Sequence, residues 1–323
     1  MLIVRYMKEI IVFICAFLVS VVFVYAYILL NKKKGFLTGV DINKENKPVV
    51  PESGGIPVLF SLSFLLVGFS LSSAIMFTTE NLAWLLLVAL FAAIGVLDDS
   101  KHKFMSKATP WPLRALPIAA ISLGFALAFT QDLFLVLAGG LFIAALASFH
   151  NTFAGLNGWE VGSSFIISMF VAYLLLGSPY FLVAVLLAGG TLALLVFNVY
   201  PAKIFPGDSG TMLLGSGLAG LVLLNNDIKT TLVVCLFYVP HLIDFFALKL
   251  LTNRMDVSQA STKPYVLKNN RIAIPAYKGK TRYDFAKLVV KLFGPMKEKK
   301  IVLIIWIVVL VNCSFWILVS QAF

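Results

Sequence analysis

An all-α polytopic membrane protein of about ten transmembrane helices is the fold class that this 323-residue sequence predicts, and three observations predict it. Hydrophobic residues make up 60% of the chain and charged residues only 13%, where a soluble domain carries about 25% charged residues. Apolar runs near the length that crosses a bilayer recur from one end of the chain to the other. Lysine and arginine gather in alternate loops between those runs, which is the pattern of a chain threaded repeatedly through a membrane.

The runs fall at about 10–30, 56–78, 82–97, 113–129, 133–149, 161–176, 180–200, 211–224, 232–251 and 301–319. Several are shorter than the ~20 residues of an upright spanning helix, and the sixth and eighth are the weakest as full crossings. The first follows Arg5 and Lys8 as a secretion signal would. It runs too long for a signal core and has no small-residue cleavage pattern before Asn31, so it reads as a retained span. A single domain over 1–323 is expected, with a long basic loop at about 252–300.

Counted from the N-terminus, the odd loops hold 21 of the 26 Lys and Arg residues, and the even loops hold only Lys229. Positive residues mark the cytoplasmic side, so the odd loops are expected there and both termini outside, in a plasma membrane. The net charge of +11 is then a matter of topology and of attraction to anionic headgroups and substrates. Nucleic acid is not an expected partner. Cys15, Cys235 and Cys313 all fall inside apolar runs with no metal or disulfide spacing.

The odd loops also hold the residues capable of chemistry. The second opens with Asp98-Asp99 at a helix end, a costly placement unless water, a cation or a partner satisfies the pair. Paired carboxylates suit Mg²⁺ shared with substrate phosphates; a solvated helix end beside Lys101 and Lys103 reads as well from these residues alone. The third loop, 150–162, has no Lys or Arg but is dense in Asn and Gly, including Asn151, Gly155 and Asn157. Such residues suit a nucleobase or a phosphate, and equally a plain turn. The fourth runs Asn198, Pro201-Ala202-Lys203-Ile204-Phe205-Pro206-Gly207-Asp208. It places Asp208 in a tight turn before a helix, where free backbone N–H groups favour anions, and Phe205 offers a face for stacking. The first loop adds Glu52 within Pro51-Glu52-Ser53-Gly54-Gly55, and the fifth adds Arg271 among several lysines. Carboxylates, amides and cations on one face are what a metal-bound diphosphate requires.

Taken in order, these loops resemble the polyprenyl-phosphate N-acetylhexosamine-1-phosphate transferases, a glycosyltransferase family 4 type. Leu97-Asp98-Asp99 is similar to the family's Asp-Asp motif, and the segment ending in Phe205-Pro206-Gly207-Asp208 to its Pro-Ala-Lys-x-Phe-x-Gly-Asp motif. The third loop, with Ala154 and Asn157 where bacterial members carry Asp, resembles the eukaryotic and archaeal dolichyl-phosphate GlcNAc-1-phosphate transferases. Three features depart from the family: Ser148 stands where an Asn is usual, the bacterial His-rich motif is missing, and Asn270-Arg271-Ile272 matches the dolichol-type segment only loosely.

The resemblance implies transfer of GlcNAc-1-phosphate from UDP-GlcNAc to a dolichyl-type polyprenyl phosphate, in an archaeal membrane. It implies Mg²⁺ (or Mn²⁺) held by Asp208 and Asn151, and Asp98 or Asp99 acting on the lipid phosphate, with a phospho-aspartate route left open. Gly155, Asn157 and Phe205 would bind uridine, Glu52 would lie near the sugar, and Lys107 and Arg271 near the diphosphate. Two other readings stand beside this one. One is a bacterial-type undecaprenyl-phosphate transferase. The other is a cation-coupled transporter, which predicts ionisable residues deep within the spans, where Asp244 is the main exception to their scarcity. A Gly215-Ser216-Gly217 to Gly220 cluster suits close helix packing, within the chain or across a homodimer.

Overall fold

The computed structural model describes residues 7–100, 111–251, 265–274 and 283–322, with 111–114 described by backbone alone. After α1 (Met7–Lys34) come the short strands β1 (Thr38–Val40) and β2 (Val49–Pro51). Seven helices follow: α2 (Gly55–Leu71), α3 (Thr79–Asp99), α4 (Trp111–Leu127), α5 (Leu133–Thr152), α6 (Trp159–Leu174), α7 (Phe181–Asn198) and α8 (Gly207–Leu224). The chain continues through α9 (Ile228–Phe237), α10 (Val239–Leu250), β3 (Val266–Lys268), β4 (Arg271–Ala273), α11 (Phe285–Phe293) and α12 (Glu298–Gln321).

Every expected apolar run contains a helix. Among the described residues six helices (α1, α3, α5, α7, α8 and α12) are long and apolar enough to cross a membrane, and a seventh crossing is counted if the α9–α10 pair, bent by 48°, is one span. The helices α2, α4 and α6 have 17, 17 and 16 residues. At about 1.5 Å per residue they reach roughly 25 Å, short of a ~30 Å hydrocarbon core. The run at 56–78 is cut short because its helix stops at Leu71 and the chain turns through Ser72 and Ser73, the latter with φ of 57°. The run at 211–224, expected to be among the weakest, instead extends back to Gly207, and residues 209–222 are all buried.

That burial makes α8 the centre of the bundle, packed against α3, α5, α2, α6 and α7. In lipid there is no water to drive helices together, so close approach through small residues does the work. A Cβ at Gly215 would lie 2.6 Å from the Leu146 carbonyl oxygen and 2.7 Å from Ala147 Cα on α5. On the opposite side Trp84 of α3 donates its indole N–H to the Gly217 carbonyl at 2.8 Å. The glycine cluster is therefore spent inside the chain.

Around this centre α1 lies along α7, with Ala16 against Gly189, and is tied to α2 by a buried Ser20–Ser61 hydrogen bond of 2.8 Å. The strands β1 and β2 pair antiparallel, Thr38 opposite Pro51, and β3 pairs with β4. Both hairpins lie on the face to which the odd loops converge. On the other face the end of α12 meets the end of α6, where Gln321 donates to the Tyr173 hydroxyl.

Two glycine substitutions separate packing from helix propensity. Gly215→Ala forces backbone apart and is expected to cost about 1–3 kcal/mol, seen as a lower Tm in detergent. Gly68→Ala, with nothing within 4 Å of its new Cβ, should leave Tm unchanged or raised.

Candidate active site

The C-terminal end of α3 meets the N-terminal end of α8. The first N–H groups of any helix lack intrahelical partners, and Pro206 at the cap of α8 offers no side-chain acceptor. Asp99 supplies it from the neighbouring helix. One carboxylate oxygen accepts the Asp208 N–H at 2.7 Å, and the other accepts the Ser53 hydroxyl at 2.6 Å and the Ser209 N–H at 3.2 Å. Negative charge is favoured at this end of a helix by its dipole as well.

Only glycines allow the approach. A Cβ at Gly95 would lie 2.2 Å from the Ser209 nitrogen, one at Gly55 2.4 Å from the Ser209 carbonyl carbon, and one at Gly207 2.3 Å from Asp99 Oδ2. Gly207 also has φ of +62°, which bars most side chains on its own account.

Asp208 is thereby aimed at a partly buried pocket of oxygens. Its carboxyl faces those of Asp98 and Asp99 and the side-chain amide of Asn151. Thr211 donates its hydroxyl to Asn151 Oδ1 at 2.9 Å, which turns the Asn151 NH₂ group towards Asp208. Asn151 thus supports Asp208 as a donor, and its oxygen keeps a second lone pair beyond the one that faces Thr211. Among the described residues no ion pair reaches Asp99 or Asp208.

Acidic oxygens brought together in this way fit a hard divalent ion. Mg²⁺ is usually held by one or two carboxylates and completes its shell with substrate phosphates and water. Among the described residues no group of three or more His, Cys, Asp or Glu forms a ready-made cage. The residue that would hold such an ion is Asp208, with Asp98 and Asn151 beside it.

Phe205 and Glu52 come together a few residues away. The Phe205 N–H bonds to the Pro51 carbonyl at 2.8 Å, and the Gly54 N–H to the Phe205 carbonyl at 3.0 Å, so residues 51–54 are zipped along the fourth loop. A Cβ at Gly39 would sit 3.1 Å from both the Phe205 ring and the Glu52 carboxylate. Tyr27 of α1 holds the Glu52 carbonyl at 2.8 Å. Behind the loop, buried Asn198 accepts the Gly158 N–H at 3.0 Å and donates to the Ile204 carbonyl at 2.9 Å, joining the third and fourth loops.

The third loop is clamped rather than open at Asn157. Its side-chain amide donates to Asp41 at 2.8 Å and its backbone N–H to Glu298 at 2.9 Å, while Lys44 pairs with both Glu298 and Asp41. Gly155 is exposed, with its carbonyl taken by the Asn43 amide at 2.9 Å and the Tyr265 hydroxyl close by. Burial, and then the Asp284 carboxylate that accepts its hydrogen bond, hold the Tyr265 phenol well above its usual range, so it stays a neutral donor.

Arg271 stands exposed at the start of β4, and no ion pair joins it to Asp99 or Asp208. Lys107 lies outside the described residues. Asp41, Lys44 and Glu298 were not singled out in the sequence, where each reads as one more charge of a polar loop. Asp244, the exception that favoured a transporter, is explained locally. It accepts the Phe285 N–H at 2.7 Å and pairs with Lys249 at 2.6 Å in a π-helical stretch, Ile243–Leu250.

The structure is thus a helical bundle of membrane-spanning length with carboxylates gathered at one buried helix N-terminus. The family model for glycosyl transferase family 4 matches residues 81–226, from the start of α3 to just past α8. A Methanocaldococcus jannaschii protein, provisionally named a glycosyltransferase, is 31% identical over 295 residues, 87% of each chain. A Sulfolobus acidocaldarius protein is 30% identical over 315 residues, 91% of this chain and 90% of its own. It is provisionally named a UDP-N-acetylglucosamine–dolichyl-phosphate N-acetylglucosaminephosphotransferase. The phospho-N-acetylmuramoyl-pentapeptide-transferase of Lactobacillus johnsonii is 29% identical over 234 residues, 64% of this chain and 73% of its own. The chain belongs to glycosyl transferase family 4.

Removing the clamp at Asn198 tests how the loops are held. Asn198→Ala leaves the Gly158 N–H and the Ile204 carbonyl buried without partners, at about 1–3 kcal/mol for each unsatisfied group. Thermal unfolding should show the loss, and Asn198→Leu, close in size, should not restore it.

Proposed function

We propose that this chain transfers GlcNAc-1-phosphate from UDP-GlcNAc to a dolichyl-type polyprenyl phosphate, releasing UMP, at the cytoplasmic face of the plasma membrane. The observation that carries the proposal is the meeting of Asp98, Asp208 and Asn151 at the N-terminus of α8, with Phe205 three residues before Asp208. The Sulfolobus relative, matched over nine-tenths of both chains, favours the dolichyl-type acceptor over the bacterial one. Ala154 and Asn157, in place of the Asp residues of bacterial members, point the same way.

In this reading an oxygen of the lipid phosphate attacks the β-phosphorus of the donor in line. The bond from that phosphorus to the bridging oxygen breaks, and UMP leaves with the oxygen. Asp98 orients the acceptor phosphate and takes its proton if it arrives protonated. Asn151 fixes the Asp208 carboxylate, Phe205 stacks on the base, and Glu52 faces the sugar. Arg271 and Lys107 would come to the diphosphate from the fifth and second loops. Asp208 would hold Mg²⁺, which would supply charge neutralisation of the diphosphate. Little covalent work falls to the protein in phosphoryl transfer, so positioning and electrostatics set the rate.

Asp208→Asn is expected to lower formation of lipid-diphosphate-GlcNAc about 10²–10⁴-fold, with Tm close to that of the unchanged chain. Mass spectrometry of the lipid product checks this. Full activity in that variant would remove Asp208 from the reaction.

A further inference from the structure

We infer that Asp99 and Ser53 are positioning residues that set where Asp208 begins. The inference rests on the proposed function and concerns what holds its site in register.

Both Asp99 oxygens are committed, to two backbone N–H groups of α8 and to the Ser53 hydroxyl. A carboxylate that accepts three hydrogen bonds from the protein is poorly placed to take a proton from substrate. One of those bonds is to the backbone of Asp208 itself, so Asp99 sets where the Asp208 side chain begins. Asp98, one residue earlier, points about 100° away around the helix and faces the Asp208 carboxyl.

Ser53 makes the latch reach further. It is fully buried and has φ of +64°, a conformation that non-glycine residues adopt rarely. That backbone aims its hydroxyl at Asp99. Its neighbours Pro51 and Gly54 bond to Phe205 from either side. The segment 51–54 therefore registers the stacking residue and, through Asp99, the acidic residue of the fourth loop. Strain held in place at a site by its surroundings is consistent with a positioning role.

The test is a set of variants of the full chain in one assay: Asp99→Asn, Ser53→Ala and the Ser53→Ala/Asp99→Asn double. The wild-type rate tests the reaction itself, and the ratios among variants test the positioning. Ser53→Ala should lower kcat about 10–100-fold, as small misplacements of reacting groups do, with KM for UDP-GlcNAc within about 3-fold. The double variant should be no slower than Asp99→Asn within about 3-fold, because both changes break one chain of contacts. Wild-type kcat in Ser53→Ala would overturn the inference, and that variant decides the matter alone if Asp99→Asn does not fold. Independent, additive losses in the double variant would overturn it too.

Discussion

The carboxylate of Asp99 set against the first backbone N–H groups of α8 is the interaction on which the site depends. It answers two demands of a low-dielectric interior at once. The start of a buried helix needs acceptors, and a carboxylate beside an apolar helix needs donors. Glycines at 55, 95 and 207 permit the contact, because a Cβ at any of them would overlap the partner. The same joint ties α2, α3 and α8 together and leaves Asp208 facing Asp98. What stabilises the fold here therefore also builds the site.

The loops around this joint are held by single polar residues that each bridge two segments. Asn198 spans the third and fourth loops, and Asn157 is fixed by Asp41 and Glu298, with Lys44 compensating both acids. Few of these groups face open water, so each bond lost would leave a buried partner unsatisfied. Loops on a scaffold of this kind are precise because their backbones are pinned from below. The Phe205 segment and the Asp99–Asp208 joint are tied through residues 51–54, so the two cannot shift independently.

Much of this was legible in the sequence. Apolar runs separated by polar loops mark the six helices long enough to span among the described residues, because the bilayer demands length and apolarity, though the same runs suggested ten crossings. Pro206-Gly207 before Asp208 marks a helix start, as such turns do. Legibility failed where the deciding partner lies far along the chain. Nothing near Asp98-Asp99 says which acid caps α8, since the answer lies 109 residues on. Asn157 donates its N–H to Glu298, 141 residues away, a partner that nothing near it in the sequence announces. The early end of α2 was hidden because residues 72–77 keep an apolar flavour while Ser73 turns the backbone.

The most direct test of the account is the identity of the nucleotide released when purified protein meets UDP-GlcNAc, a short polyprenyl phosphate and Mg²⁺. Attack at phosphorus cleaves the diphosphate, so UMP should appear, one per lipid product, and only when the lipid phosphate is present. Release of UDP would mean that the bond broken is the one to the sugar carbon. The arrangement of Asp98 and Asp208 around a diphosphate would then be the wrong description of this site.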